Sequence, residues 1–442
     1  MSESPSVNSR PSDNCKAIEV ISFLTLISVF FPYVGLIPTQ SDTQPYALAF
    51  SFFLLLTMLA RYGLYLRLTR PIILLGIVLA YALILSCLYR DVGIRSIAGY
   101  LSVFVIAWAS YLIHQHGLFK VSLIKKVLWI WTAIGVIQLL FAPDFGHWVL
   151  PDMRTTEGRG VISLAPEPSY YGAVCILIFV VIRILRAKAY VDDKFCRSCN
   201  YLLIFQIVVL AKSPISILIL LVYVLIDQMV NFKFRNLIVA MILLCVGGFA
   251  IFYFFPDSRM VSLAKLLQED PRFFYIADAS INDRLSHIVI SLSGFIDSLP
   301  YGVGYGTNAW TDYLFHNARN FPDFPYMFDG PRIMCAFGGT LFELGYIGLI
   351  LPLVVLYSFL SQREKEMKTV GLFLCAFMLQ AVPLAFPLFG FTIGLSEAMR
   401  VQRNNRAQRP YENQKSRKLF SKLAIRFPGS ISVCHVRPTT AD

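Results

Sequence analysis

Apolar residues run in long unbroken stretches over most of this chain, separated by short charged segments. "AIEVISFLTLISVFFPYVGLI" (17–37) and "PIILLGIVLAYALILSCL" (71–88) are two examples. A bilayer core takes roughly 20 apolar residues of helix, and backbone polar groups inside lipid are satisfied only within helices or closed barrels. The pattern therefore predicts an all-α polytopic integral membrane protein. About twelve spans are expected, near 17–37, 45–60, 71–89, 97–113, 126–142, 170–185, 201–211, 214–230, 236–255, 337–360, 369–382 and 386–399. The first run reads as a span rather than a cleaved signal peptide, whose apolar core is shorter and ends at a small-residue site. Two pairs read as short helices meeting at the outer side, 201–211 with 214–230 across "AKSP" and 369–382 with 386–399 across "VPLAFP". Proline interrupts both.

Charge sets the orientation. The loops "RYGLYLRLTR" (61–70), "HQHGLFKVSLIKK" (114–126), "RILRAKAYVDDKFCRSCN" (183–200), "NFKFRN" (231–236) and "QREKEMK" (362–368) are rich in Lys and Arg, which marks them cytoplasmic. Both termini then lie in the cytoplasm. The reading divides the chain into an N-terminal tail (1–16), an N-terminal bundle (17–142), an outer loop (143–169), central helices (170–255), a large outer loop (256–336), C-terminal helices (337–399) and a basic tail (400–442). In the large loop, "MVSLAKLL" and "RLSHIVISLSGFIDSL" look like amphipathic helices lying on the bilayer surface. Its middle, "PYGVGYGTNAWTDYLFHNARNFPDFPYMFDGPR", mixes aromatic rings with Asn and Asp. That mixture suits a carbohydrate, and it also suits an ordinary exposed loop.

Composition narrows the classes. Only 15% of the 442 residues are charged, against roughly 25% in soluble domains, and mean hydropathy is +0.62. The net charge of +12 is spread over loops and tail, so a nucleic-acid partner is not expected, whereas membrane lipids are. The nine cysteines are scattered. "CRSC" at Cys196 and Cys199 is a lone CxxC, weak evidence for zinc, and neither metal nor cofactor is expected. Walker, GxGxxG and GxSxG signatures are absent from the sequence, which argues against ATP-driven chemistry in this chain.

Candidate chemistry concentrates in "RTTEGRGVISLAPEPSYYG" (154–172), where two arginines and two glutamates sit between apolar segments. Arg154 and Arg159 are planar donors suited to phosphate oxygens. Glu167, between two prolines at the start of the next span, is a candidate general base, because partial desolvation raises a carboxyl pKa. Alternatively it pairs with Arg159, or caps the helix that starts near Ser169. Arg284 opens an amphipathic segment and reads as a surface residue or as a ligand-binding one. Lys212 lies inside an apolar run, where an ionisable residue is costly and functional by default, unless it snorkels to the interface. His316 is a second candidate proton acceptor, and His287 a weaker one.

These pieces together resemble a family. "R…GRGVISLAPEPSYYG" resembles the Arg/Gly/Glu-Pro-Ser segment of bacterial Wzy-type polysaccharide polymerases, in the O-antigen polymerase and ligase superfamily. "AKSPISILILLVYVLI", "NDRLSHIVISLSGFIDSLPYGVGYG" and "FELGYIGLILPLVVLY" are similar to its Ser-containing helix pair, its Arg-helix with a following Gly-rich loop, and its "ELGxxGL" span. They occur in the same order from Phe141 to Leu360, and "HN" at His316 and Asn317 matches a further element. The family's Arg-x10-Gly spacing is not kept, with twelve residues between Arg159 and Gly172 and nine between Arg284 and Gly294.

The resemblance implies a metal-independent, GT-C-like membrane glycosyltransferase of the bacterial inner membrane. It would join undecaprenyl-diphosphate-linked oligosaccharide units at the periplasmic face into O-antigen, capsule or exopolysaccharide. Glu167 or His316 would be the catalytic base, and Arg154, Arg159, Arg284 and Lys212 would hold the diphosphate. A flippase and a chain-length regulator are the implied partners. The alternatives are an O-antigen ligase that transfers glycan to lipid A core, or a lipid-linked sugar transporter built on broken helices.

Overall fold

The computed structural model describes residues 13–35, 43–63, 68–88, 94–150, 153–154, 160–231, 259–270, 275–304, 307–327, 333–380 and 383–403, with single positions 238 and 253. Among the described residues there is helix and no β-strand. Residues up to Ala398 form one compact unit, and a second unit begins at Met399.

The helices follow the hydropathy pattern. In chain order they are α1 (Asp13–Phe30), α2 (Tyr46–Tyr62), α3 (Arg70–Leu88), α4 (Ile94–Gln115), α5 (Ser122–Leu140), α6 (Pro168–Ala187), α7 (Asp193–Phe205), α8 (Pro214–Asn231), α9 (Arg259–Glu269) and α10 (Ala279–Asp297). After them come α11 (Thr307–Asn317), α12 (Ala336–Leu344), α13 (Ile350–Leu360), α14 (Lys365–Phe377) and α15 (387–403). Among the described residues, seven stretches are long and apolar enough to cross a membrane: α3, residues 97–115 of α4, α5, α6, α7 with its continuation to Ala211, α8, and Ala336–Leu360.

Several boundaries differ from the sequence expectation. The run expected as 201–211 is the second half of a 19-residue stretch that starts at Asp193. The charges in "DKFCRSCN" hide that start from a hydropathy reading. The helix nevertheless begins there because Asp192 accepts a capping bond from the Phe195 amide at 2.8 Å, the interaction that satisfies first-turn amides. The first helix is Asp13–Phe30, which starts before the expected 17–37 and ends short of it, and it is not one of those seven stretches. The span expected at 236–255 lies, except for two single positions, outside the described residues.

α6 is the centre of the bundle. Sixteen of its twenty residues are buried, as expected of a helix that is apolar all round, and α7, α8 and α14 pack on it. At its C-terminal end, Arg183 meets Glu366 at 3.1 Å and Lys188 meets Glu364 at 3.0 Å. The basic loops near 183–200 and 362–368 therefore share one end of the bundle, as their assignment to one side of the membrane requires. α10 packs lengthwise on α12 through buried Ile290, Ser291 and Gly294.

Candidate functional site

The opposite end of α6 carries most of the candidate residues. Pro168 occupies the first helical turn, where a missing N–H costs nothing. Glu167 precedes it in extended conformation, with φ −151° and ψ 160° and no side-chain capping bond. It stands at the cap position without capping, so that sequence alternative is set aside. Its side chain is instead engaged by neighbours. The Ser169 hydroxyl donates to Glu167 Oε1 and accepts from Arg284 Nη2 at 3.1 Å. Arg284 Nη2 also lies 3.5 Å from Glu167 Oε1. The two charged side chains are 22% and 17% exposed, sheltered yet reachable from outside.

The segment before Glu167 is no exposed loop. Residues 162–166 are buried as a strap laid across α5 and the turn after α7. Ser163, at φ 52°, takes a bond from its amide to Gln138 Oε1 at 2.6 Å and sends its hydroxyl to the Trp131 carbonyl at 2.7 Å. Gln138 Nε2 returns a bond to the Ser163 carbonyl at 2.9 Å. A loop can be buried when its backbone groups find such partners. Here one glutamine on α5 supplies them while Ile162, Leu164 and Ala165 fill the apolar space.

Two glycines set the close approach of these parts. A Cβ at Gly160 would lie 2.0 Å from the Ala211 carbonyl oxygen, and one at Gly172 would lie 1.9 Å from Ser216 Oγ. The strap and the first turns of α6 are thus both seated on the turn that joins α7 to α8. Lys212 occupies that turn, exposed and left-handed with φ 44°. Its neighbours Ala211 and Ser213 touch Gly160 and Gly172 respectively, which places Lys212 at the same end of the bundle as Glu167.

Arg154 joins the group through its backbone and its side chain. Its amide donates to the Pro166 carbonyl at 2.8 Å, and its guanidinium lies 5.9 Å from the centroid of the Tyr170 ring, within cation–π range. Beneath, Phe31, Trp131 and Tyr171 stack in series with centroids 5.9 and 5.3 Å apart. Arg159 lies outside the described residues, so its pairing with Glu167 is not described.

His316 behaves differently. It is exposed, its Nδ1 lies 2.7 Å from the Asp312 carbonyl one turn back, and its ring meets Phe315 edge-on. Neither contact involves Glu167 or Arg284. His287 is fully buried, stacked on Trp310 at 5.4 Å, with Nε2 3.2 Å from Asp283 Oδ1. On the neighbouring α11, Tyr313 donates to Asp297 Oδ2 at 2.6 Å. Burial, with Asp297 adding to it, pushes the Tyr313 phenol up to about 12, so it remains a donor at neutral pH.

Two features of this end and of the α4–α12 contact are not evident from the sequence pattern. Ser169 reads as a helix-start serine, and only the arrival of Arg284 from 115 residues away shows it as a bridge. Glu343 accepts a 2.5 Å bond from the Tyr100 hydroxyl between α12 and α4. An acidic residue inside an apolar run was the signal for it. Among the described residues, no group of three or more His, Cys, Asp or Glu side chains converges to hold a metal ion. No protein-family model matches this chain, and no curated protein matches it significantly.

Proposed function

We propose that this chain is a membrane glycosyltransferase that joins lipid-diphosphate-linked oligosaccharide units into a longer polysaccharide. The observation that carries the reading is the convergence of Glu167, Ser169 and Arg284 at the mouth of the most buried helix, with Arg154 and Lys212 at the same end. A carboxylate that can take a proton, held beside cations that can neutralise a diphosphate, is what such a transfer requires without further cofactors.

In the proposed step, an acceptor sugar hydroxyl attacks the anomeric carbon of the donor glycan. The new C–O bond forms as the bond from that carbon to the diphosphate oxygen breaks. Glu167 takes the hydroxyl proton, and the electron pair leaves with the lipid diphosphate, whose growing charge falls to Arg284, Arg154, Lys212 and Arg159. In the resting protein Arg284 faces Glu167, so a bound diphosphate would draw the guanidinium off the carboxylate and free it as a base. The reading places these residues at the periplasmic face of a bacterial inner membrane. It assigns twelve crossings, both termini in the cytoplasm and undecaprenyl as the lipid. His316 is the alternative base.

The test is elongation by the purified full-length protein supplied with a lipid-diphosphate repeat unit, with product length read on a gel. A ladder is expected from the wild type, and none from Glu167→Gln, Arg159→Ala or Arg284→Ala that elute as folded protein. Full ladders from the three variants would overturn the site. Transfer only onto a lipid A core acceptor would make the protein a ligase.

A further inference from the structure

We propose that a groove between α5 and α7 binds one anionic phospholipid. The phosphate would sit at Lys125 and Ser198, and an acyl chain along Leu202 and Phe205. The groove encloses about 230 Å³, less than the roughly 300 Å³ lower bound for drug-sized ligands, which suits a headgroup and the start of a chain.

The two walls are helical stripes. Lys125 and Trp129 lie one turn apart on α5, while Ser198, Tyr201, Leu202 and Phe205 follow the i, i+3, i+4, i+7 spacing of one face of α7. The helices run parallel. Leu128 and Thr132 of α5 bond Gln206, and Gly135, further along α5, faces Leu210. Both helices therefore begin at one membrane face, and the groove has a polar end and an apolar end. Lys125 and Ser198 lie nearest that face, Trp129 and Tyr201 next, and Phe205 about 10 Å deeper than Ser198 at 1.5 Å per residue. This is the order of phosphate, glycerol and acyl chain in a leaflet.

Charge favours an anionic occupant. No carboxylate is among the residues lining the groove, while Lys125 is, and Lys126, Lys194 and Arg197 are exposed near the starts of the same two helices. The nearby acids are engaged, Asp192 with the Phe195 amide and Asp193 with Arg186 at 3.0 Å. Basic residues at this level attract anionic leaflets. Trp129 and Tyr201, 56% and 72% exposed, match the aromatic belt at a membrane interface. The groove is separate from the Glu167 site, and the inference does not depend on the reaction proposed there.

Trp129 supplies the readout. The full-length protein in mixed micelles is titrated with phosphatidylglycerol or phosphatidylcholine carrying brominated chains, and tryptophan quenching is followed. Half-maximal quenching is expected at a several-fold lower mole fraction of phosphatidylglycerol. That excess should vanish in Trp129→Phe, and the two lipids should become equal in Lys125→Gln. Identical curves for both lipids in the wild type would overturn the proposal. So would a preference that survives Lys125→Gln, or competition by inorganic phosphate as strong as that by the lipid. The wild-type comparison needs no variant, so a variant that fails to fold leaves the test intact.

Discussion

Ser169 is a small residue whose hydroxyl links two charged side chains brought from distant parts of the chain. By donating to Glu167 and accepting from Arg284 it ties the carboxylate to the guanidinium. A hydrogen bond to a charged group contributes about 1.5–3 kcal/mol, and about 1.4 kcal/mol is tenfold in rate. Ser169→Ala should therefore lower elongation roughly tenfold with little change in KM for the lipid-linked substrate. Ser169→Thr, which keeps the hydroxyl, should recover much of the rate. Equal losses from Ala and Thr would mean that Ser169 acts only through packing. The residue types here were legible in "EPS", since a carboxylate between prolines at a span start signals chemistry. The contact of that carboxylate with Arg284 was not legible, because the two residues are 117 positions apart in the chain.

At the scale of elements, the strap of residues 160–166, the first turns of α6 and the α7–α8 turn form one packed unit. Its tolerance is set by backbone proximity. Adding a methyl at Gly172 would press on Ser216 in a close-packed interior, where overpacking costs typically about 1–3 kcal/mol. Gly172→Ala is expected to lower the thermal midpoint in detergent, and Gly172→Ala combined with Ser216→Gly to restore much of it. Additive losses in the double variant would show that the two positions do not press on each other. The sequence pattern reads residues 143–169 as a loop because its charges and prolines break the apolar periodicity. Gln138 accounts for the difference: it supplies hydrogen-bond partners to the strap 25 residues ahead, and periodicity carries no information about such a partner.

At the scale of the whole molecule, the ion pairs joining Arg183 to Glu366 and Lys188 to Glu364 gather two basic loops at one end of α6, and the candidate site occupies the other. Under the proposed orientation, alkaline phosphatase fused after residue 320 should be active, and fusions after 192 and after 364 inactive. The reverse pattern would invert the protein in the membrane and separate the site from a periplasmic substrate.

Hydropathy alone determined that the chain is helical and built for a bilayer, since the cost of an unpaired backbone in lipid leaves helices little competition. It also marked the segment 154–172 as chemically unusual, because charge beside apolar runs is expensive wherever the chain folds. Which charges meet was decided by tertiary structure. The ion pair of Arg284 with Glu167, the Ser169 bridge and the seating of the Lys212 turn against Gly160 and Gly172 all join residues far apart in the chain. Such contacts depend on how helices pack side by side, and packing is set by shape and hydrogen bonding between elements rather than by the periodicity within any one of them.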